Sequence, residues 1–450
     1  MLRSLGMKEA LALVVGSVIG TGVFLKAGIM SVQVGSAYWV LAAFVISGLL
    51  SLCGAFCYAE LGSLFPKAGG EYVYLREAYG EKLAFLYGWT RFWIGSPASI
   101  AAYAVGSVTF LSGLISFGSP RLEAIAAIVL IWIFSLLNCL SVAFGGKFQA
   151  FLTALKVFMI LGLTLAIFGF GQGASWSHLS SHAGVLNGAW PGLSAFGAAM
   201  IGALWAFDGW NNMPMVAGEI RNPSKNIPLA LIIGMGSVLL IYLLANLSYF
   251  YALSTTEVAN SFSRIHPQAL PVATMAATKA FGSIAAAILS IAFVFSALGA
   301  MNGSILTNAR VPYAMAEDQL FFHSLARLSK TSRVPIISIL IQAIVSSALA
   351  LSGSFDQLTD YVVFASWIYY ALGCGSIFIF RRKGLKSDYR IPLFPWLPLL
   401  FIFSAVFLII NTLLTSPRES ITGLLFIFVG IPFYFYFKRN YLSRTKDPNP

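Results

Sequence analysis

Apolar residues dominate this chain in long blocks, and polar residues collect in short stretches between them. Taking roughly 20 apolar residues as the length that crosses a bilayer as a helix, the blocks predict about twelve spans. They lie near residues 8–27, 37–64, 83–114, 121–142, 149–170, 191–217, 229–253, 281–309, 335–352, 356–380, 393–414 and 419–437. No block shows the alternation of a half-buried strand. The pattern predicts an all-α polytopic membrane protein. The first and sixth blocks differ from the rest. "GSVIGTGVF" puts three glycines within seven residues of the first, and "LSAFGAAMIGALWAFDGWNNMPMVAGE" adds glycines and an acid, Asp208, to the middle of the sixth. Each interior glycine costs a helix about 1 kcal/mol against alanine, so both blocks are predicted to break, the first near 16–22 and the sixth near 205–210.

Composition agrees with this class. The chain has 450 residues, 58% hydrophobic and 10% charged, with a mean hydropathy of +0.82. A soluble domain carries about 25% charged residues. The net charge of +12 raises nucleic acid as a partner, but the placement of the charges excludes it. With the N-terminus taken as cytoplasmic, inner loops and tails hold Arg3, Lys67, Arg76, Lys82, Arg221, Lys225, Arg310, the run Arg381, Arg382, Lys383, and Lys438 to Lys446 at the end. The outer loops hold only Lys26, Arg121, Arg264, Lys279 and Arg418. That asymmetry is the positive-inside signature. It predicts a multi-pass protein of the plasma (inner) membrane with both termini cytoplasmic. No cleavable leader is read in the first block. Cys53, Cys57, Cys139 and Cys374 lie in apolar runs and read as small buried side chains. His178 and His182 have no further ligands near them, so neither a metal nor a cofactor is expected. The inner segment "LFPKAGGEYVYLREAYGEKL" is amphipathic and is predicted to lie along the membrane surface. The outer "PQALPVATMAATKAFG" predicts a short capping helix.

Two breaks in matching positions suggest chemistry. Small residues at Gly16 and Gly20 serve close helix packing, but Gly22, Ser17 and Thr21 are not needed for that. Unpaired backbone is tolerated inside a membrane only where it lines a cavity. There the free N–H groups of one half-helix attract an anion, and the free carbonyls of the other attract a cation. Such a pair suits the carboxylate and ammonium of an amino acid. Helices 1 and 6 would then head two five-helix halves of opposite orientation, and paired interrupted helices point to a transporter's binding site. An acid at mid-span costs about 2.5–3.5 kcal/mol on insertion scales, so Asp208 either faces the substrate cavity or forms a structural hydrogen bond or helix cap. Trp205, Phe207 and Trp210 flank it as packing or as a gate. Lys156 is a second intramembrane charge, read either as a snorkelling side chain or as a fixed ammonium in place of a bound cation. Arg91 and Glu60 read as interfacial or paired residues without chemistry.

"GSVIGTGVF", "WAFDGWNN", "VAGEIRNPSKNIPLALIIGM" and "SALGAMNGSILTNARVPYAMAEDQLFF", in that order, resemble the amino acid–polyamine–organocation superfamily. The nearest likeness is to the L-type amino acid transporters and their prokaryotic relatives, over the first ten spans. The resemblance implies the leucine-transporter fold, a 5+5 inverted repeat plus two additional helices: residues 1–170 as the first half, 171–380 as the second, and 381–450 as helices 11 and 12 with a cytoplasmic tail. It implies that the Val18 carbonyl accepts an ammonium. The amides of Thr21 and Gly22, beside Gly20, would hold a carboxylate. Carbonyls near Trp205, Asp208 and Gly209 would complete the ammonium site. Trp205, Phe207, Trp210, Asn302 and Trp367 are expected to form gates or pocket walls. Lys156 matches the family's helix-5 lysine in the region of a sodium site. Sodium-independent transport, commonly by exchange, follows from the resemblance. An acid at the Asp208 position resembles the member that carries cationic amino acids and cystine. The outer loop "SFGSPR" lacks the cysteine by which animal light chains join a heavy chain, so no disulfide-linked heavy chain is expected as a partner. The expected partners are amino acid substrates and the lipid bilayer. The alternatives to amino acid exchange are a proton-coupled symporter of the same fold, a membrane enzyme, and a channel. The last two lack a catalytic cluster and a filter sequence.

Overall fold

In the computed structural model, residues 3–140, 142–184, 188–352 and 355–446 are described. The last four residues of the expected tail lie outside that set. The described residues form helices, with only two isolated bridges, Leu5 to Ile220 and Ser36 to His182. Ten helical segments are long and apolar enough to cross a membrane, and two shorter ones, Leu193–Phe207 and Ile336–Leu351, fall where the sixth and ninth spans are predicted.

The first span is two helices, α1 (Met7–Val18) and α2 (Gly22–Val34). Gly35 ends α2 at φ +67°, with its N–H on the Ser31 carbonyl, the left-handed cap that glycine supplies without strain. α3 (Ala37–Leu64) follows. Next come α4 (Glu71–Tyr79) and α5 (Glu81–Thr90), then a π-helical turn, Arg91–Gly95, and α6 (Ser96–Ser112). The wide turn has a local cause. Pro97 has no N–H to give the carbonyl four residues back, and its ring crowds that carbonyl. α7 (Pro120–Asn138) and α8 (Val142–Phe170) complete the first five spans.

The sixth span is again divided, into α9 (Leu193–Phe207) and the single turn α10 (Asn212–Met215). α11 (Pro223–Ala252) opens with a proline in its first turn, where the missing N–H costs nothing. α12 (Thr255–Ala259) and α13 (Val272–Phe281) cap the face opposite the N-terminus. The second of these is the predicted short helix, with Pro271 at its start. α14 (Ser283–Asn308), α15 (Arg310–Glu317), α16 (Ile336–Ser352) and α17 (Phe355–Arg382) follow. α18 (Trp396–Thr415) and α19 (Pro417–Lys446) close the chain.

Burial sorts these elements. In the first span 94% of the most apolar stretch is buried, against 22% in α7 and in the last span. The first span is therefore the axis of the bundle, and α7 and α19 are its rim. A helix apolar all round belongs in such an interior.

Three sequence expectations need correction. The amphipathic inner segment does not lie on a surface. Glu71, Tyr72, Val73, Tyr74 and Leu75 of α4 are all buried, because Tyr58 and Tyr87 draw the Glu71 carboxylate into the bundle with hydrogen bonds of 2.6 and 2.8 Å. Lys26 is not an outer-loop residue. It is buried on α2 and paired with Asp356 of α17 at 2.7 Å. Arg91 is not interfacial but buried. Glu60 is paired as expected, with Arg381 at 2.7 Å.

Candidate functional site

The two breaks meet at the centre of the bundle. α1 stops at Val18 because Ile19 turns to ψ +91°, and α2 restarts at Gly22. α9 stops at Phe207, where Asp208 takes extended angles. Gly209 sits at φ +112°, and a Cβ there would lie 2.8 Å from the Ser17 carbonyl oxygen. Gly22 faces α9 just as closely, since its Cβ would lie 2.5 Å from the Ala206 Cα. These two glycines let the broken backbones cross at contact distance. The sequence reading holds Gly22 unnecessary for close packing; the approach of the Ala206 backbone shows that it is needed for that too.

The end of α1 and the start of α2 present opposite dipole ends. The first N–H groups of α2, from Thr21 and Gly22 onward, have no preceding turn to bond. The Thr21 and Ser17 hydroxyls beside them are buried without a hydrogen-bond partner. On the carbonyl side, Lys156 reaches in from α8. Its Nζ donates to the carbonyls of Gly16 at 2.9 Å and Ile19 at 2.6 Å, and to Ser296 of α14 at 2.9 Å. A snorkelling lysine would turn outward to water. This one is fully buried and ties the end of α1 to α14.

Tyr242 of α11 is a site residue that the sequence reading missed. Its hydroxyl lies 2.9 Å from both the Val18 and the Ala206 carbonyls. It has one hydrogen, so it serves only one of them at a time and joins the two breaks as a shared donor. The Val18 carbonyl, expected to receive an ammonium, already has this neighbour. A tyrosine in the middle of a long apolar run, away from the interfacial belt where the residue concentrates, was the available signal.

Asp208 is buried, and its Oδ1 accepts a 2.7 Å hydrogen bond from Tyr370 of α17. Trp205 packs 5.4 Å from the Tyr103 ring and 6.3 Å from Phe355, and its indole N–H has no partner. Tyr103 in turn points its hydroxyl at the Ser17 carbonyl, and a Cβ on Gly20 would strike its ring at 2.7 Å. Val18, Gly20, Thr21, Gly22, Trp205, Asp208 and Gly209 therefore form one cluster.

Other expected residues fall elsewhere. Phe207 packs between Phe44 and Tyr242, and Trp210 is wedged between Tyr58 and Tyr370. Trp367 stacks on Phe401 of α18, 5.1 Å away, a layer beyond Tyr370. Asn302 lies in a polar cluster that borders the first break: it accepts from Asn138 at 2.8 Å and donates to Gln149 at 2.9 Å, and the Gln149 amide lies against Gly16 near the end of α1. The histidines form no centre, and no metal-ligating group of three is found among the described residues.

Both approaches to the crossing are closed. On the face carrying the N-terminus, Leu5 pairs backbone to backbone with Glu219 and Arg221, and Arg310 meets Glu219 at 3.1 Å. On the opposite face Asp356 accepts from Lys26, and its second oxygen takes the Arg264 N–H at 2.8 Å. A cavity of about 40 Å³ remains above this pair.

Comparison with known proteins decides what such a bundle is. The amino acid permease profile matches residues 5–437. The chain belongs to that family. It is similar to the serine/threonine exchanger SteT of Bacillus subtilis, at 31% identity over 445 residues and 98% of each chain. It is similar also to the human b(0,+)-type amino acid transporter 1, at 31% identity over 97% of this chain and 88% of the relative. The human cystine/glutamate transporter is 27% identical over 97% of this chain and 85% of its own length. Relatives of this kind are transporters and exchangers by name, and so this permease is an amino acid transporter of the membrane and not an enzyme.

Proposed function

We propose that this permease exchanges neutral and/or cationic L-amino acids across the plasma (inner) membrane by alternating access, without sodium. The crossing of the α1–α2 and α9–α10 breaks carries the reading. The carbonyl end of α1 at Val18 and the N–H end of α2 at Gly22 are four residues apart in the chain, which supports a site for a carboxylate and an ammonium on one carbon. In this reading Thr21 and Gly22 hold the carboxylate, and the Val18 carbonyl releases Tyr242 to accept the ammonium. Trp205 closes over the bound molecule. The positions of the breaks, in the first and sixth spans, support two inverted halves at 1–170 and 171–380. Lys156 supports independence from sodium, since its ammonium fills the point where the Gly16, Ile19 and Ser296 carbonyls converge. The bias of basic residues supports cytoplasmic termini. The chain acts without a disulfide-linked heavy chain, as its cysteine-free "SFGSPR" loop suggests.

The test is uptake of labelled amino acids into liposomes holding the purified protein in sodium-free buffer. Exchange requires unlabelled amino acid inside and stays silent without it. The Lys156 contacts favour one second reading. All three oxygens on its ammonium are neutral carbonyls, so the charge has no carboxylate on it and can be given up with the proton. Proton symport would then be driven by a pH gradient into empty liposomes, which exchange would not be.

A further inference from the structure

Asp208 taken alone points to cationic substrates, but a second charge stands behind it. Arg91, in the π-helical turn between α5 and α6, is 5% exposed. Its Nη2 donates to the side-chain oxygens of Asn212 and Asn308, at 3.0 Å each, and its Nη1 lies 3.5 Å from the Ser366 hydroxyl. These partners are neutral, and its Nε has none. A guanidinium stays protonated in proteins, and a bare buried cation is very costly. Its charge is therefore offset at longer range. Glu71 lines the same small cavity as Arg91. Arg91 and Tyr370, the donor to Asp208, line one cavity. At about 10 Å³ it has room for one water at most. In this form Arg91 acts through its charge, not as a contact for a substrate side chain.

Four buried side chains then set the charge of the substrate region: Arg91 and Lys156 against Asp208 and Glu71. Two cations and two carboxylates leave it neutral. A neutral amino acid arrives as a zwitterion and keeps it so. Lysine or arginine brings one uncompensated positive charge into a low-dielectric interior, where such a charge interacts far more strongly than in water. We propose that Arg91 is a specificity-determining residue that cancels Asp208 and restricts this permease to neutral amino acids. This rests on the amino acid exchange proposed above.

The experiment measures the ratio of lysine to alanine exchange in liposomes for five forms of the full chain: the parent, Arg91→Gln, Arg91→Lys, Asp208→Asn, and the double variant Arg91→Gln/Asp208→Asn. The parent is expected to favour alanine by more than tenfold. Arg91→Gln raises the lysine to alanine ratio at least tenfold. Arg91→Lys keeps the parental ratio at lower flux, and the double variant returns to the parental ratio because its charges again balance. Asp208→Asn leaves one cation in excess and gains glutamate exchange. A parent that carries lysine as readily as alanine overturns the proposal. So does an Arg91→Gln form whose fluxes fall equally for both substrates, the mark of a merely structural arginine. Should Arg91→Gln not reach the membrane, Asp208→Asn decides alone, and absence of glutamate exchange overturns it. A parent that exchanges no amino acid strikes the transport reading itself, and is told apart by that from a failure of Arg91.

Discussion

At the scale of single residues, two side chains hold the crossing together from different directions. Lys156 donates to the Gly16 and Ile19 carbonyls at the end of α1, and removing it takes that donor from both. A buried polar group that loses its partner costs about 1–3 kcal/mol. Lys156→Ala is expected to lower exchange at least tenfold while the protein still inserts, which surface labelling of the membrane fraction would check. Wild-type flux in that variant would mean that the ammonium is only a tether. Tyr242→Phe is the milder test. It deletes the one hydroxyl shared by the Val18 and Ala206 carbonyls and keeps the ring that packs on Phe207 and Phe44. Its expected effect is a several-fold rise in KM with little loss of thermal stability. These two residues were unequally legible. Lys156 stood out as a charge in an apolar run. Tyr242 did not, because its role depends on which two backbones come within reach of its hydroxyl, and that is fixed by tertiary packing.

At the scale of elements, the glycines of the first and sixth spans marked where the helices would break, since each weakens a helix by about 1 kcal/mol against alanine. What it could not foretell was that the breaks touch. Gly209 shows why contact matters. Alanine there would face both a positive φ, which costs an L-residue about 1–2 kcal/mol, and a Cβ 2.8 Å from the Ser17 carbonyl. Gly209→Ala is expected to abolish exchange and to leave the outer helices intact. Circular dichroism unchanged beside a lost flux would be the result to see, and retained flux would mean that the crossing has slack. The inner segment at α4 went the other way. Its charges read as a surface face, yet Glu71 finds Tyr58, Tyr87 and Asn211 inside, and hydrogen-bond partners on other elements are invisible to local periodicity. Arg91 was misjudged for the same reason. Its depth follows from the path of α5 and the π-helical turn, not from its distance to the end of an apolar run.

At the scale of the whole molecule, the spans were legible because a bilayer imposes one length and one composition on each of them, whereas closure of the two faces depends on pairings far apart in sequence. Lys26 and Asp356 are 330 positions apart, yet they join α2 to α17 on the face opposite the N-terminus. A buried pair of this sort contributes little net stability compared with apolar packing, but breaking one side of it is expected to cost about 3–5 kcal/mol. Asp356→Asn should therefore lower the melting temperature in detergent, and the double variant Lys26→Met/Asp356→Leu should recover most of it. Access should separate from stability in the same pair. Ala198 lines the cavity above the latch; Cys53, Cys57 and Cys374 are buried, and with the half-buried Cys139 replaced by alanine throughout, background labelling is low. With Ala198→Cys as the probe, a membrane-impermeant thiol reagent should react faster in both latch variants than in the parent, although only the single variant is less stable. Faster labelling in the single variant alone would mean that loosened packing, not release of the latch, had opened that face.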